Sequence, residues 1–387
     1  MRIERLDVFT FPIPFKVVFR HSSAKRDRAE NIIVVARSEC GRVGYGEGCP
    51  RSYVTGESLR SSAAFIQQHE ETIIGNVQDI DGLKTWIDAN RGAIDQNPAA
   101  FCAVELALLD LFGKIAERPI EDVLDIPRIS GIYRYSAVLG DAPYLAYWWQ
   151  FRRYWGRGFR DFKVKVSGDP GRDWRKISAF RKKEDPALRV RLDANNLWHS
   201  AADCISHING LSYDFFAIEE PLQEGDLSGF KRVGEECQTK IILDESLLRP
   251  EQLDTLDDAP RWIVNLRVSK MGGVLRSIEV AREAEKRGIG IIVGAQVGET
   301  SILTRAALAV ANVCRDGLVA SEGAFGTYLL QRDLTSPSLM FGPGGELVCG
   351  NVLDPACPGL GLDIDDNALV LADRDNSIPD HAQQSAR

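Results

Sequence analysis

From about residue 133 to residue 322 the chain repeats one beat: a short apolar run of strand length, then a helix-length segment or a loop. Eight runs keep it, at 135–139, 159–166, 190–194, 215–219, 240–244, 262–268, 290–294 and 318–322. No other feature restricts the fold so tightly. Apolar strands alternating with helices build a parallel sheet, and eight units over roughly 200 residues predict a (β/α)8 barrel of the TIM type. A doubly wound open sheet is the competing α/β architecture. It carries a Gly-rich turn after its first strand, and Val138-Leu139-Gly140-Asp141 is not one.

The flanks read differently. Residues 2–12 and 31–37 alternate as strands, and the glycines of 41–48 supply turns and a third short strand. From 58 to about 124 the pattern is helical. It is clearest at 98–118, where Phe101, Val104, Leu108, Leu111, Phe112 and Ile115 recur at three- and four-residue steps before Pro119 stops the helix. These features divide the chain into an α+β capping domain (1–125), the barrel (126–345) and a Gly- and Pro-rich segment (346–387). That last segment is expected to return to the capping domain and to end in a frayed tail. Two loops of the capping domain, 19–28 and 49–57, carry Arg20, Arg51 and Tyr53, which suit a lid over an anionic ligand.

Composition excludes several functions. The net charge of −8, with no basic stretch to offset it, argues against nucleic acid. No window reaches the length of a membrane span, and no signal-peptide core follows the N-terminus. The eight cysteines form no Cys-x-x-Cys pair, and the five histidines have no ligand spacing. A reduced, cytoplasmic protein is expected, free of nucleic acid and membrane.

In a barrel, polar residues at the C-terminal strand ends face one small volume. Alternation in Asp161-Phe162-Lys163-Val164-Lys165-Val166 puts Lys163 and Lys165 on one face. A solvated edge strand would account for that pair alone. The third strand ends with Asp193 and Asn195, the fourth with Glu219, the fifth with Asp244. Each carboxylate follows the last by one strand-helix unit. Three acids on adjacent strands cannot all stay ionised unpaired, and oxygen donors in that number point to Mg2+. A metal that neutralises a substrate carboxylate acidifies the neighbouring C–H, and a lysine beside a second cation can take that proton. Asn265 and Arg267 share a face of the sixth strand, with Lys270 in the turn beyond. Gln296, Glu299 and Glu322 follow the seventh and eighth strands and could line the far side.

Lys-x-Lys, Asp-x-Asn, Glu-Glu-Pro, Asp-Glu-Ser and a Gly-Gly turn, after the helix containing Glu105-Leu106-Ala107-Leu108-Leu109-Asp110, together resemble the enolase superfamily. The likeness is to its mandelate racemase/muconate lactonizing enzyme family, in the muconate-lactonizing-enzyme-like subgroup. The resemblance implies Asp193, Glu219 and Asp244 as Mg2+ ligands and Lys165 as the base. It implies Lys163 as the cation that lowers the pKa of Lys165, and Asn195, Glu245 and Lys270 as supporting residues behind the site. It also implies a small carboxylate substrate and assembly as a homo-oligomer.

The subgroup places a second catalytic lysine on the sixth strand, and aligned on Lys270-Met271-Gly272-Gly273 that position is Arg267. Arginine stays protonated and is a poor base but a good clamp. One-base chemistry through Lys165 is therefore expected: cycloisomerisation or syn-elimination. A racemase or epimerase of amino-acid or dipeptide derivatives, with Lys270 or Arg267 on the second face, is the alternative. The Asp-x-Asp that grips an ammonium in dipeptide epimerases reads here Ser321-Glu322-Gly323. A barrel that binds its metal and ligand without turnover is the third reading.

Overall fold

The computed structural model describes residues 2–20, 25–257 and 261–371. Ile3–Arg20 and Lys25–Ser38 form a long antiparallel hairpin, and Val43–Gly48 pairs with its second strand. The β-branched run Ile32-Ile33-Val34-Val35 lies in the middle strand and is buried throughout, as a strand covered on both faces must be. Val370–Leu371 pairs with Phe9–Thr10 on the other edge of the hairpin, so the described chain ends against its first sheet.

Helix Pro98–Ala116 joins this cap to the barrel. Proline opens it at its first turn, and Glu117, in the left-handed region at φ 53°, closes it. Every residue from Pro98 to Gly113 is buried, because the helix has the cap sheet on one side and the barrel on the other. Its approach to the sheet explains a motif that reads as turn-forming in the sequence. Gly44, Gly46 and Gly48 alternate on one strand face, and a Cβ at each would stand 2.2, 2.0 and 2.0 Å from the carbonyl oxygens of Ala107, Ala103 and Ala99. The glycines let a helix lie directly on a strand.

The eight expected barrel strands all form, as one parallel sheet in sequence order. They are Ala137–Leu139, Asp161–Lys165, Arg189–Asp193, Ala217–Glu219, Lys240–Leu243, Trp262–Arg267, Gly290–Gly294 and Leu318–Ser321. A parallel bridge from Tyr135 to Ser321 and a hydrogen bond from Ser136 N to Ser321 O (2.9 Å) close the barrel. The second strand shows the division of faces. Phe162 packs outward against Phe151 and Phe180, with ring centroids 5.6 and 5.2 Å away, while Lys163 and Lys165 turn inward. Ala217, Ile242, Ile263, Ile292 and Ala320 form a separate apolar cluster, contributed by alternate positions of successive strands as interior layers are. The beat breaks after the fifth strand, where the short 3-10 helix Pro250–Thr255 stands in place of an α-helix, and after the eighth, where only the 3-10 turn Gly326–Tyr328 follows.

Carboxylates of the cap hold the two parts together by capping barrel helices. Glu105 accepts hydrogen bonds from Val274 N and from Leu275 N (3.1 Å), the first residues of helix Val274–Lys286. Glu47 accepts from Thr300 N (2.9 Å), Thr300 Oγ1 (2.6 Å) and Leu303 N (3.1 Å) at the start of helix Ser301–Val313. Arg305 on that helix donates to both oxygens of Glu121 (2.7 and 2.8 Å). The first-turn N–H groups of a helix lack internal partners and carry its positive end, so a buried carboxylate there is stabilised.

Two consequences are measurable. Gly46→Ala drives a Cβ into backbone that cannot move aside and is expected to lower stability by about 3 kcal/mol, read as the urea midpoint. Glu105→Ala leaves two buried N–H groups without acceptors and is expected to cost about 2 kcal/mol in the same measurement.

Candidate active site

Parallel register brings the charged residues side by side. Lys165 is the partner of Asp193, Asp193 of Glu219, and Glu219 of Ile242, two residues before Asp244. The side chains therefore meet at the mouth of the barrel, all nearly or fully buried. Lys163 Nζ lies 2.7 Å from Glu219 Oε2, 3.2 Å from Glu322 Oε2 and 3.4 Å from Asp193 Oδ2. Burial works against its charge, but Asp193, Glu219 and Glu322 together outweigh burial and raise its pKa. Lys163 is a fixed cation.

Lys165 is less enclosed. Its Nζ donates to Asp193 Oδ2 (3.0 Å) and Asn195 Oδ1 (2.6 Å), and 13% of its side chain remains exposed, against 5% for Lys163. It is the amine of the pair that a ligand at the mouth can reach.

On the opposite side of the barrel, four strands away in the sheet order, Arg267 pairs with Asp244 and donates to Gln296 Oε1 (3.2 Å), and its Nη2 is 3.9 Å from Glu219. Lys270 does not face the mouth. It is fully buried, and its Nζ donates to Asp244 Oδ1 (2.8 Å) and to the carbonyls of Asp244 (2.5 Å), Asn265 (3.0 Å) and Leu247 (3.3 Å). Burial first, then the Arg267 charge, lowers its pKa. Its geometry makes it the anchor of the strand-five carboxylate.

Glu220, which the sequence reading passed over, has a related duty. It accepts from Asp244 N (2.6 Å), Ser246 N (2.8 Å) and Ser246 Oγ (2.7 Å), tying the fourth strand end to the fifth. Glu245 lies partly buried beside it, its carboxyl pushed up to about 7 by desolvation and then by Glu220. Arg191 was also missed, although alternation sets it on the face of Asp193. It is fully buried and donates to Glu322 Oε1 (3.0 Å), Ser136 Oγ (2.6 Å) and Asp161 Oδ1 (2.9 Å).

Several residues expected to meet a substrate are engaged elsewhere. The two amino groups of the Arg51 guanidinium donate to the carbonyls of Glu30 (3.0 Å), Pro50 (2.8 Å) and Val297 (2.8 Å) and to Asn31 Oδ1 (2.9 Å). Arg51 is thus a buried clamp between the cap and the loop after strand seven. Glu299 is partly buried, accepts from Gln296 N (2.6 Å), and is pushed up to about 8, first by desolvation of its carboxyl. Glu322 holds Lys163 and Arg191. Gln296 meets Arg267, and its Nε2 is buried without a partner. Tyr53 is half-buried with contacts of its own. The side chain of Arg20 lies outside the described residues.

The donor set suits a hard divalent cation: Asp193, Glu219 and Asp244 offer oxygens from three adjacent strand ends. Glu219 Oε2 is buried without a well-angled hydrogen bond, despite Lys163 Nζ 2.7 Å away. Among the described residues, however, no three acid, histidine or cysteine side chains are spaced to share a metal ion. Lys163 lies between Asp193 and Glu219, and Arg267 bridges Glu219 and Asp244. The chemistry of the three carboxylates fits the ion, and the Arg267 guanidinium occupies one side of Asp244.

Comparison with known proteins bears on this arrangement. The chain is 30% identical over 337 residues to a hydrophobic dipeptide epimerase of Enterococcus faecalis, covering 84% of this chain and 92% of that protein. It is 26% identical over 368 residues to the L-Ala-D/L-Glu epimerase of Bacillus subtilis, covering 94% and 97%. The crystal structure of the dipeptide epimerase from Enterococcus faecalis complexed with Mg and dipeptide L-Leu-L-Tyr superposes with a TM-score of 0.79 at 24% identity, covering 94% of this chain and 100% of that one. The family model for the enolase C-terminal domain-like fold matches residues 148–368, more than half of the chain and nearly all of the barrel. With its closed eight-stranded barrel, its capping domain and lysines and carboxylates converging at the strand ends, the chain belongs to the enolase superfamily, within the mandelate racemase/muconate lactonizing enzyme family.

Proposed function

We propose that this isomerase-type enzyme is a Mg2+-assisted racemase or epimerase that takes the proton α to the carboxylate of a dipeptide or N-acylated amino acid through Lys165. The observation that carries the reading is the Lys165 amine, partly open at the barrel mouth and held by Asp193 and Asn195. The epimerases among its relatives support the substrate class and favour epimerisation over cycloisomerisation. Asp193, Glu219 and Asp244 would hold Mg2+, which when bound neutralises the substrate carboxylate and so acidifies its α C–H. Lys163, kept charged by three carboxylates, adds positive potential where negative charge develops, an arrangement that stabilises an enediolate without reorganisation. The eight unpaired cysteines support a reducing, cytoplasmic setting.

The second face of the substrate belongs to strand six. Lys270 has all its protons committed to Asp244, Asn265 and Leu247, so Arg267 is the group that serves there. A guanidinium holds its proton at any ordinary pH. It can give a proton to a carbanion far more readily than it can take one from a C–H. Inversion is therefore expected to run faster from the stereoisomer whose α-hydrogen faces Lys165. The replacement of lysine by Arg267, together with Ser321-Glu322-Gly323 on strand eight, favours a second reading. In it Arg267 is only a clamp and the reaction is a one-base cycloisomerisation or syn-elimination.

Incubating dipeptides and N-acyl amino acids in D2O with Mg2+ tests both. Deuterium entry with inversion supports epimerisation; entry at one stereoisomer with retention, ring closure or elimination supports one-base chemistry; no entry with any substrate overturns both and leaves a binding barrel. Lys165→Ala is expected to lower exchange by about 10³-fold or more, while Arg267→Lys is expected to speed inversion from the slower stereoisomer. Chelation by EDTA is expected to abolish exchange and Mg2+ to restore it, measured by NMR on the same samples.

A further inference from the structure

Directly behind Lys165 lies a buried charged cluster that takes no part in the chemistry proposed above. Asp173, on helix Pro170–Arg181, is 1% exposed at its side chain, Lys176 2% and His207 5%. The Asp173 carboxylate accepts from Ser167 N (3.0 Å to each oxygen), Ser167 Oγ (2.8 Å) and Gly168 N (3.0 Å), so it holds the loop that leaves the second strand. Lys176 Nζ donates to Asp173 Oδ1 (2.8 Å), lies 2.7 Å from Asp141 of the preceding strand's loop, and donates to the carbonyl oxygen of Lys165 itself (2.9 Å). His207 Nε2, from the next barrel helix, lies 3.2 Å from Asp173 Oδ2, and its ring packs on Trp198 at 5.1 Å.

The position of that carbonyl matters. Lys165 is the last residue of its strand, where the ladder ends with Val166 N bonded to Asp193 O (3.1 Å). Beyond it Gly168 turns through the left-handed region at φ +79°, where a Cβ would stand 3.1 Å from Leu197. A buried ion pair is a poor source of net stability, since well-packed apolar residues do as well. Its contribution here is to fix a backbone atom that the sheet has ceased to hold.

We propose that Lys176, held by Asp141 and by Asp173, which His207 braces in turn, is a positioning residue for the Lys165 amine. This rests on Lys165 being the proton-abstracting group. By gripping the Lys165 carbonyl it sets the point from which the side chain reaches Asp193, Asn195 and the substrate. Displacements of an ångström at such a group cost about 10²-fold in rate.

The test compares Lys176→Met, which keeps the stem and loses the donor, with Lys176→Arg, which restores one, and with Arg175→Ala on the exposed face of the same helix. Two readouts are taken in Mg2+ buffer. One is kcat and KM for α-proton exchange. The other is the rate at which formaldehyde and cyanoborohydride methylate Lys165, followed by peptide mass spectrometry, which needs no substrate. Lys176→Met is expected to lower kcat by about 10²-fold with KM changed by less than about threefold, and to alter the Lys165 methylation rate by about threefold or more. Lys176→Arg is expected to recover part of both, and Arg175→Ala to match the parent enzyme.

A folded Lys176→Met protein with a lowered melting temperature but unchanged kcat and methylation rate overturns the proposal. Should that variant fail to fold, Asp173→Asn and His207→Gln are read by methylation, and unchanged rates in both overturn it equally. The two readings fail separately. If Lys165→Ala still exchanges protons, the assignment of the base is wrong; if it is inactive and Lys176→Met behaves as the parent, only the positioning role is wrong. If the parent exchanges no proton with any substrate, the methylation rates still decide whether Lys176 positions the amine.

Discussion

Lys163 stands where the buried acids of the barrel meet, within 2.7 to 3.4 Å of Glu219, Glu322 and Asp193. Removing a carboxylate from water costs several kcal/mol unless an opposite charge and hydrogen bonds replace the solvent. The mouth of this barrel buries several at once. It remains feasible because cations are threaded between them: Lys163 among the acids of strands three, four and eight, Arg191 between Glu322 and Asp161, Lys270 beneath Asp244 and Arg267 across it. The same neutralisation that makes the arrangement stable makes it useful. In the proposed reaction a substrate carboxylate would meet fixed positive charge here, beside the partly open amine of Lys165.

The cap depends on a related principle at longer range. Glu47 and Glu105 cross from the cap to the N-termini of two barrel helices, where unpaired N–H groups and the helix dipole provide what a buried carboxylate needs. Arg51 adds a guanidinium clamp from the cap to the loop after strand seven. These contacts are polar, directional and buried, so they specify one seating of the cap on the barrel, which an apolar seam would define less sharply. The cap loop 49–57, anchored by Arg51, is thereby carried at a defined place relative to the strand ends.

Arg267 stands where the family resemblance implies a lysine, and its surroundings show how an arginine is accommodated there. Exchanging a lysine for an arginine brings a broader, planar cation that reaches two acceptors at once. Here they are Asp244 and Gln296, with Glu219 nearby. Lys270, three residues on, turns away from the mouth and holds Asp244 from behind. The two cations of this turn therefore act on one carboxylate from opposite sides.

Much of this was legible before any coordinates. Strand count, order, the inward face of Lys163 and Lys165 and the carboxylates of strands three to five follow from periodicity and spacing, because a period of two and a repeat of one strand-helix unit leave few alternatives. Partners were not legible. Gly44, Gly46 and Gly48 read as turn residues, yet they admit a helix that lies some sixty residues further along the chain. Arg51 and Glu322 read as polar groups available to a ligand, yet each is held by residues distant in sequence, and Glu299 is taken by the Gln296 N–H of its own loop. Lys270 read as a turn residue, as a support of the metal-ligand carboxylates or as a second base; it is neither exposed nor free, and it holds Asp244. Alternation states which side of a strand a residue occupies, and this the sequence determined alone. Which opposite charge meets it there depends on how strands, helices and cap close around the same small volume, and only the tertiary structure decides that, because burial forces every charge in that volume to find a partner.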